Sequence, residues 1–412
     1  MTITRADLAA LDRDDPLAPL RDLFALPDGV IYLDGNSLGA LPRATPARVA
    51  QVVREEWGSG LIRSWNDAGW MAAPARVGDK IAQLVGAAPG SVMVADSTSV
   101  NLFKLLGAAL AARPDRRAIL SERGNFPTDL YIAEGLAALL DRGHQLRLAE
   151  PDAIAAALDP DVAVLMLTHV NYHTGALHDM AALTRAAHAQ GALVLWDLAH
   201  SAGAVPVDLA GCDADLAVGC GYKFLNGGPG APAFLYVAPR LHEALRLPLT
   251  GWLGHAAPFA FEPGYRPAPG IARALVGTPP MLSLAALEVG VDIALQAPMA
   301  AVRAKSQQQT TLFAALLEQI AGTWGARLAS PRDAARRGSQ VCLAHDQAYP
   351  IMQALIARGV IGDFRAPDIL RFGITPLYTR YVDLWDAAAA LGEVMARGEW
   401  QEARFQVRLA VT

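Results

Sequence analysis

The chain has 412 residues, 53% of them hydrophobic, and a formal charge of −5 from 40 acidic and 35 basic side chains. That length and apolar content exceed what one ordinary domain needs, so one large and one smaller domain are expected. Acids and bases are interspersed without a run of like charge, which excludes an electrostatic footprint for nucleic acid or an anionic membrane and leaves a small molecule as the expected partner.

At the amino terminus, Arg5 and Arg13 are mixed with Asp7, Asp12, Asp14 and Asp15, unlike the basic-then-apolar order of a secretory leader. Apolar runs such as Val162 to Leu167 fall far short of the roughly 18 residues that span a bilayer. A soluble cytoplasmic protein is therefore expected. From about residue 90 onward, short apolar runs read as strands at Ser91–Ala95, Arg117–Ser121, Gln145–Ala149, Val162–His169, Ala192–Leu198, Leu216–Cys220 and Ala233–Val237. Alanine- and leucine-rich stretches of helical period lie between most of them, as at Ser99–Ala112 and Met180–Gln190. The alternation predicts an α/β fold with a mainly parallel sheet. Val162–Leu167 and Leu193–Trp196 show no polar alternation, as expected of strands buried on both faces.

Ala256–Thr278, with Pro258, Pro263, Pro267 and Pro269, predicts a long loop. Helical patterns follow at Pro280–Gln296 and Met299–Ile320. The remainder alternates strands (Gln340–His345, Ile369–Ile374) with helices (Tyr349–Arg358, Tyr381–Arg397), which predicts a smaller α+β domain. The division is expected to give a large domain at 60–290 and a small one built from 1–59 together with 291–412. Cys212, Cys220 and Cys342 have no CxxC spacing, so neither a disulfide framework nor a metal site is expected.

Lysine is the informative residue type, because there are four: Lys80, Lys104, Lys223 and Lys305. Three sit in helical patterns, where a solvated or snorkelling side chain is the plain expectation. Lys223 follows the apolar strand ending at Cys220 and precedes Asn226-Gly227-Gly228-Pro229-Gly230. A strand end opening into a glycine-rich loop is where α/β proteins place ligands. Asp197 closes the apolar run Leu193-Val194-Leu195-Trp196; a carboxylate there is desolvated and stays ionised only beside a cation or several donors. A protonated pyridine nitrogen is such a cation, and in pyridoxal-5′-phosphate (PLP) chemistry that pairing preserves the electron sink while a lysine holds the opposite side of the ring. An ordinary turn cap is the alternative for Asp197 taken alone. Asp96-Ser97-Thr98-Ser99-Val100-Asn101 leads into a helix, where hydroxyls and free N–H groups suit a phosphate ester or simply cap the helix. Phe126-Pro127-Thr128-Asp129 adds an aromatic face and a carboxylate.

The ordered set Asp34-Gly35-Asn36-Ser37-Leu38-Gly39, Phe126-Pro127-Thr128-Asp129, Asp197-Leu198-Ala199-His200, Tyr222-Lys223-Phe224-Leu225-Asn226-Gly227-Gly228 and Arg371-Phe372-Gly373 resembles kynureninase, of the PLP fold-type I, class V aminotransferase superfamily. The resemblance runs from about residue 30 to 380. It implies a homodimer with shared active sites that hydrolyses L-kynurenine, and less well its 3-hydroxy derivative, to anthranilate and L-alanine in tryptophan catabolism. It also implies that Lys223 holds the cofactor, Asp197 pairs with the ring nitrogen, Phe126 stacks on the ring, and Thr98 and Ser99 bind the phosphate. Asp129, Thr168 and His200 match further cofactor positions, and Tyr222 matches one that reaches both phosphate and substrate. Trp252 and Thr278 match residues that cross from a second subunit. Arg371 matches the α-carboxylate clamp, in keeping with guanidinium geometry, while Ser37, Trp65, Gly277 and Thr278 match substrate-pocket positions.

A cysteine desulfurase or selenocysteine lyase would share the fold and the lysine. Those enzymes need a mobile cysteine shortly before the carboxylate-binding arginine, and here Gly362-Asp363-Phe364-Arg365-Ala366-Pro367 contains none. A catalytically silent binding protein on this fold is the alternative from another class, and the joint presence of Lys223, Asp197, Tyr222 and Arg371 argues against it.

Overall fold

Seven apolar segments lie side by side in one sheet: β1 (Val92–Val94), β2 (Ala118–Glu122), β3 (Gln145–Ala149), β4 (Val162–Thr168), β5 (Leu193–Asp197), β6 (Leu216–Gly219) and β7 (Phe234–Val237). They come from a computed structural model that describes residues 3–409, so the ends of the expected small domain, residues 1–2 and 410–412, lie outside the described residues. The strand order is β1-β7-β6-β5-β4-β2-β3. Only β7 runs against its neighbours; the other pairs are parallel. Every residue of β4 and β5 is buried, which is why these segments lack alternation in the sequence. Their side chains still alternate between two cores. Val194 and Trp196 face one core with Val77, Ile81 and Leu287, whereas Leu193 and Leu195 face another with Leu102, Leu105 and Leu136.

A separate core gathers Leu8, Phe313, Leu317 and Leu391 against an antiparallel sheet of β8 (Arg327–Leu328), β9 (Gln340–Ala344), β10 (Asp363–Arg365) and β11 (Ile369–Gly373), in the order β10-β11-β9-β8. Phe313 packs edge-on against Phe372 at 5.3 Å. The short strand Ile31–Tyr32 joins Val360–Ile361 in parallel, and a bridge links Asp34 to Gly373. Through these pairings the loop after residue 33 is laid along the end of β11 and against the turn that follows β6.

The expected loop 256–278 contains one short 3-10 turn, Gly270–Ala274, and a bridge from His255 to Pro267. Before residue 90, where only the helical pattern around Lys80 was read, the chain forms helices Arg5–Arg13, Thr45–Gln51 and Ala73–Leu84, the last holding Lys80 and the second running on into a wider π-helical stretch, Val52–Gly60. Two lysines depart from expectation. Lys104 is buried, paired with Asp96 and donating to the Ala274 carbonyl at 2.8 Å; Lys305 is buried with Asp15 and the Pro376 carbonyl, both at 2.6 Å. Partners from distant loops supply the acceptors that water was expected to provide. Among the described residues no single helix is long and apolar enough to cross a membrane, and the one bent pair of that composition, Met281–Ala294 with Met299–Ile320, contributes Leu284, Leu287, Phe313 and Leu317 to the buried cores.

Two helical glycines test how the sheet supports the loop beyond β6. A Cβ at Gly135 would meet nothing within 4 Å, whereas one at Gly290 would stand 2.1 Å from the Leu225 carbonyl oxygen. Gly135→Ala is expected to raise stability by about 0.5–1 kcal/mol and Gly290→Ala to lower it by about 1–3 kcal/mol, read as opposite shifts of the thermal midpoint. Shifts in the same direction would contradict the close approach of helix and loop.

Candidate active site

Beyond β6 the chain turns through Tyr222 and Lys223, closing with Asn226 N–H on the Lys223 carbonyl at 2.9 Å. Asn226 has φ +54, a left-handed conformation that asparagine tolerates better than most residues. The loop Asp34–Gly39 lies against this turn, with the Gly39 N–H donating to the Tyr222 carbonyl at 2.8 Å. A Cβ on Gly39 would fall 2.3 Å from the Lys223 carbonyl oxygen, so only glycine admits that approach. Lys223 Nζ stands 3.0 Å from His200 Nε2 and about 6 Å from the ring centroids of Phe126 and Tyr222.

Below the lysine lie two buried carboxyls. Asp197, at the end of β5, accepts the Ala199 N–H at 2.7 Å; burial pushes its carboxyl up, against the pull of Lys223. Asp129, from the first turn of helix Pro127–Leu140, has an oxygen, Oδ2, with no hydrogen-bond partner. Burial first, and then the charge of Asp197, hold Asp129 well above the usual carboxylate range. Thr168, at the end of β4, donates to Asn125 Oδ1, which also accepts the Phe126 N–H at 2.7 Å. Asn125 thereby fixes the backbone under Phe126, whose ring packs edge-on against Tyr172 at 5.2 Å.

His200 is neutral, because burial and then the Lys223 charge hold its imidazole well below its ordinary range. Its tautomer follows from the partners. Gln340, on β9, turns its amide nitrogen to the carbonyls of Asn171 and Tyr172 at 3.3 and 3.1 Å, so its oxygen must accept. That oxygen is 3.0 Å from His200 Nδ1. Nδ1 therefore carries the hydrogen, and the Nε2 lone pair is directed at Lys223.

At the opposite wall, helix Thr98–Ala112 begins with Ser97 capping the Val100 N–H. The N–H groups of Thr98 and Ser99 have no carbonyl behind them within the helix. These side chains and those of Phe126, Asp129, Thr168, Asp197, His200, Tyr222 and Lys223 line one cavity of about 270 Å³. The residues present fit PLP: an amine for its aldehyde, first-turn N–H groups for its phosphate, an aromatic face, and a desolvated carboxyl pair whose charge Lys223 only partly offsets.

The other expected positions lie elsewhere. Arg371, on β11, is fully buried and donates to Asp363 through both Nε, at 2.8 Å, and Nη2, to Ser37 Oγ at 2.8 Å, and to the Tyr172 carbonyl at 2.9 Å. Tyr172 lines the cavity as well, so Arg371 and Ser37 border it through that residue. Trp65 is half-buried against Trp70, 5.7 Å away. Trp252, Gly277 and Thr278 are exposed and do not line the cavity. Asn125, Tyr172, Gln340, Asp363 and Arg365 were missed in the sequence. Only Tyr172 had a local signal, since it follows the end of β4, where ligand loops are expected.

Three comparisons bear on this site. The family profile described as Kynureninase C-terminal domain matches residues 302–391. Kynureninase of Burkholderia pseudomallei (strain 1106a) is 57% identical and that of Pseudomonas fluorescens 56% identical, each across 99% of this chain and 100% of the relative. Among solved structures, the apo cysteine desulfurase from Thermococcus onnurineus NA1 superposes with a TM-score of 0.77 at 18% identity, covering 92% of this chain and 98% of that one. The cysteine desulfurase CsdA from Escherichia coli gives 0.76 at 21%, also covering 92% and 98%. At such identities the structural likeness shows the fold alone. Among the described residues no cysteine lines the cavity, and Cys220 and Cys342 are buried.

The loop bordering Arg371 yields a pH prediction. Burial, and then the charge of Asp363, push the Asp34 carboxyl from 3.8 up to about 8. Between those two values the folded chain keeps a proton that the unfolded chain has lost, so the contribution is full below about 3.8 and is lost progressively as pH rises to about 8. The thermal midpoint of the cofactor-free protein is expected to fall between about pH 4 and 8 and to level off above that, and to fall less over that range in Asp34→Asn. Parallel pH profiles for the two proteins would remove Asp34 as the source.

Proposed function

We infer the roles of the site residues from one premise: the chain belongs to the kynureninase family. It is a PLP-dependent hydrolase that converts L-kynurenine and one water to anthranilate and L-alanine, a step of tryptophan catabolism. The observation that carries the assignment of roles is the meeting, in one cavity, of the Lys223 amine with the cation-deficient Asp129–Asp197 pair.

PLP, when bound, supplies an aldehyde that condenses with amines and a ring that withdraws electrons from the bonds broken at the substrate. Lys223 would hold it covalently. With substrate bound, the free Lys223 Nζ would take the proton from the substrate Cα. The His200 lone pair orients Nζ for that transfer. Asp197 would hold a proton on the ring nitrogen, and Asp129, kept protonated by burial, would add no second negative charge beside it. Thr98, Ser99 and Tyr222 would hold the phosphate, and Phe126, Thr168 and Asp129 would hold the ring. Burial pushes the Tyr222 phenol up, so it stays protonated and serves as the proton donor at Cβ as anthranilate departs.

Arg371 and Ser37 form the α-carboxylate end of the substrate pocket, and Trp65 faces the aromatic end. Trp252, Gly277 and Thr278 complete the pocket from a second copy of the chain. Their exposure supports this, as does the run of exposed aromatics in which Trp252 meets Phe259 at 5.8 Å and Phe259 meets Phe261 at 6.4 Å. Three unpaired cysteines accord with a cytoplasmic location.

Incubation with L-kynurenine is expected to release fluorescent anthranilate. Lys223→Ala should abolish the borohydride-sensitive absorbance band and slow turnover by about a thousandfold or more, while replacing Cys212, Cys220 and Cys342 together by alanine should leave hydrolysis in place. Loss of the chemistry in a folded triple variant would instead favour a thiol mechanism.

Trp65 offers the anilide ring apolar area and a single N–H, so a 3-hydroxyl would lose water without full replacement, at a cost of about 1–3 kcal/mol. L-Kynurenine is therefore expected to show the higher kcat/KM, with the preference shifting toward 3-hydroxykynurenine in Trp65→His/Thr278→Asn. A parent that favours the hydroxylated substrate would overturn this reading of the pocket.

A further inference from the structure

Lys104 is a buried cation that the chemistry above does not use. It lies in the second turn of helix Thr98–Ala112, the helix whose first turn carries Thr98 and Ser99, and its side chain is fully buried. Three acceptors surround its ammonium: the Asp96 carboxylate, the Ala274 carbonyl at 2.8 Å and Asn101 Oδ1 at 3.4 Å. An ammonium has three hydrogens, so none is left for a ligand. Neither Lys104 nor Asp96 lines the cavity. Burial lowers the pKa of the ammonium, and the hydrogen bond and charge of Asp96 oppose that loss. A lysine in this position acts on its neighbours or on nothing.

The neighbour that matters is Asp96. It forms the corner between β1 and the helix, in the left-handed region at φ +48, and its carbonyl accepts the Ala233 N–H at 2.9 Å. It stands one residue before Ser97, which caps the helix, and two before Thr98, which lines the cavity. Two residues of chain span at most about 7 Å. A bare carboxylate at this corner would repel a phosphate at the first-turn N–H groups and cancel part of the attraction of the helix terminus. Paired with Lys104 it does not. The Asp96 side chain is 33% exposed, and among the described residues Lys104 is its one ion-pair partner.

We propose that Lys104 is a positioning residue for the phosphate of the cofactor: by holding and neutralising Asp96 from behind, it keeps the turn Asp96–Ser99 free of net negative charge and open to a dianion. This rests on the functional reading above, that the Thr98–Ser99 turn takes the phosphate of PLP.

The test uses the full-length enzyme freed of its cofactor and titrated with PLP or with pyridoxal, the same aldehyde without the phosphate. Dissociation constants are read from the borohydride-sensitive absorbance band. Lys104→Met is expected to weaken PLP by about tenfold to a hundredfold and to leave pyridoxal within about threefold. The defect should shrink in high salt, as a charge effect at a partly exposed carboxylate does. Lys104→Met/Asp96→Asn, which removes both charges, is expected to bind PLP within about threefold of the parent. Equal weakening of PLP and pyridoxal, or of neither, overturns the proposal, since Lys104 would then be supporting the fold or doing nothing for the phosphate. Should the single variant not fold, the double variant decides: parent-like binding of PLP upholds the charge argument, and a loss of about tenfold or more overturns it. A parent that binds PLP no more tightly than pyridoxal would sink the reading of the phosphate turn itself, and that result is visible before any variant is made.

Discussion

Asp197 closes a strand of large apolar side chains, and Asp129 lies near it with an oxygen that meets no donor. Two carboxyls removed from water cannot both ionise without a compensating cation. Lys223 supplies part of that charge from above. The remainder is what a protonated ring nitrogen brings. The cofactor-free site is thus polarised before anything binds, and the demand for a cation follows from desolvation rather than from any single hydrogen bond. The parallel sheet makes this possible, because its strands are buried on both faces up to their carboxyl ends, where the polar residues first appear.

The smaller core enters the same site through a short chain of contacts. Gln340 on β9 fixes the His200 tautomer, and it does so because the carbonyls of Asn171 and Tyr172 leave its amide one orientation. Arg371 on the adjacent β11 binds the Tyr172 carbonyl too. The backbone at 171–172 is therefore a junction at which the cofactor side and the substrate side of the cleft are held in register. A shift of the small sheet would move the substrate end and also release the imidazole from its acceptor.

What could be read from the sequence follows from how local each cause is. Lys223, Asp197 and the Thr98–Ser99 turn lie at strand or helix ends, and the patterns that predict those ends need only a few residues on either side. Arg365, Asp363 and Gln340 carry no such mark. His200 and Gln340 are 140 positions apart, and Tyr172 and Arg371 are 199 apart, so their pairing depends on how the two sheets face each other. The lysines show the same division. Lys80 lies near the surface between Glu288 and Asp292, as a helical pattern suggests, whereas Lys104 and Lys305 are buried by acceptors that only the folded chain brings near.

The same reasoning separates this chain from the desulfurases whose fold it shares. Burial pushes the Cys342 thiol up to about 11, so at neutral pH it is an inert occupant of β9, directly across from Arg371. Nucleophilic sulfur chemistry requires a thiolate that can reach the cavity. At the strand before the arginine, where such a thiol would be needed, this chain has Asp363 and Arg365, a carboxylate and a cation that bind each other. A lysine, a carboxyl pair and a helix terminus prepare the cofactor for many reactions at an amino acid's α-carbon. The strand before the arginine thus carries charged groups bound to each other in place of a nucleophile, and nothing on β10 offers the sulfur chemistry of the desulfurases.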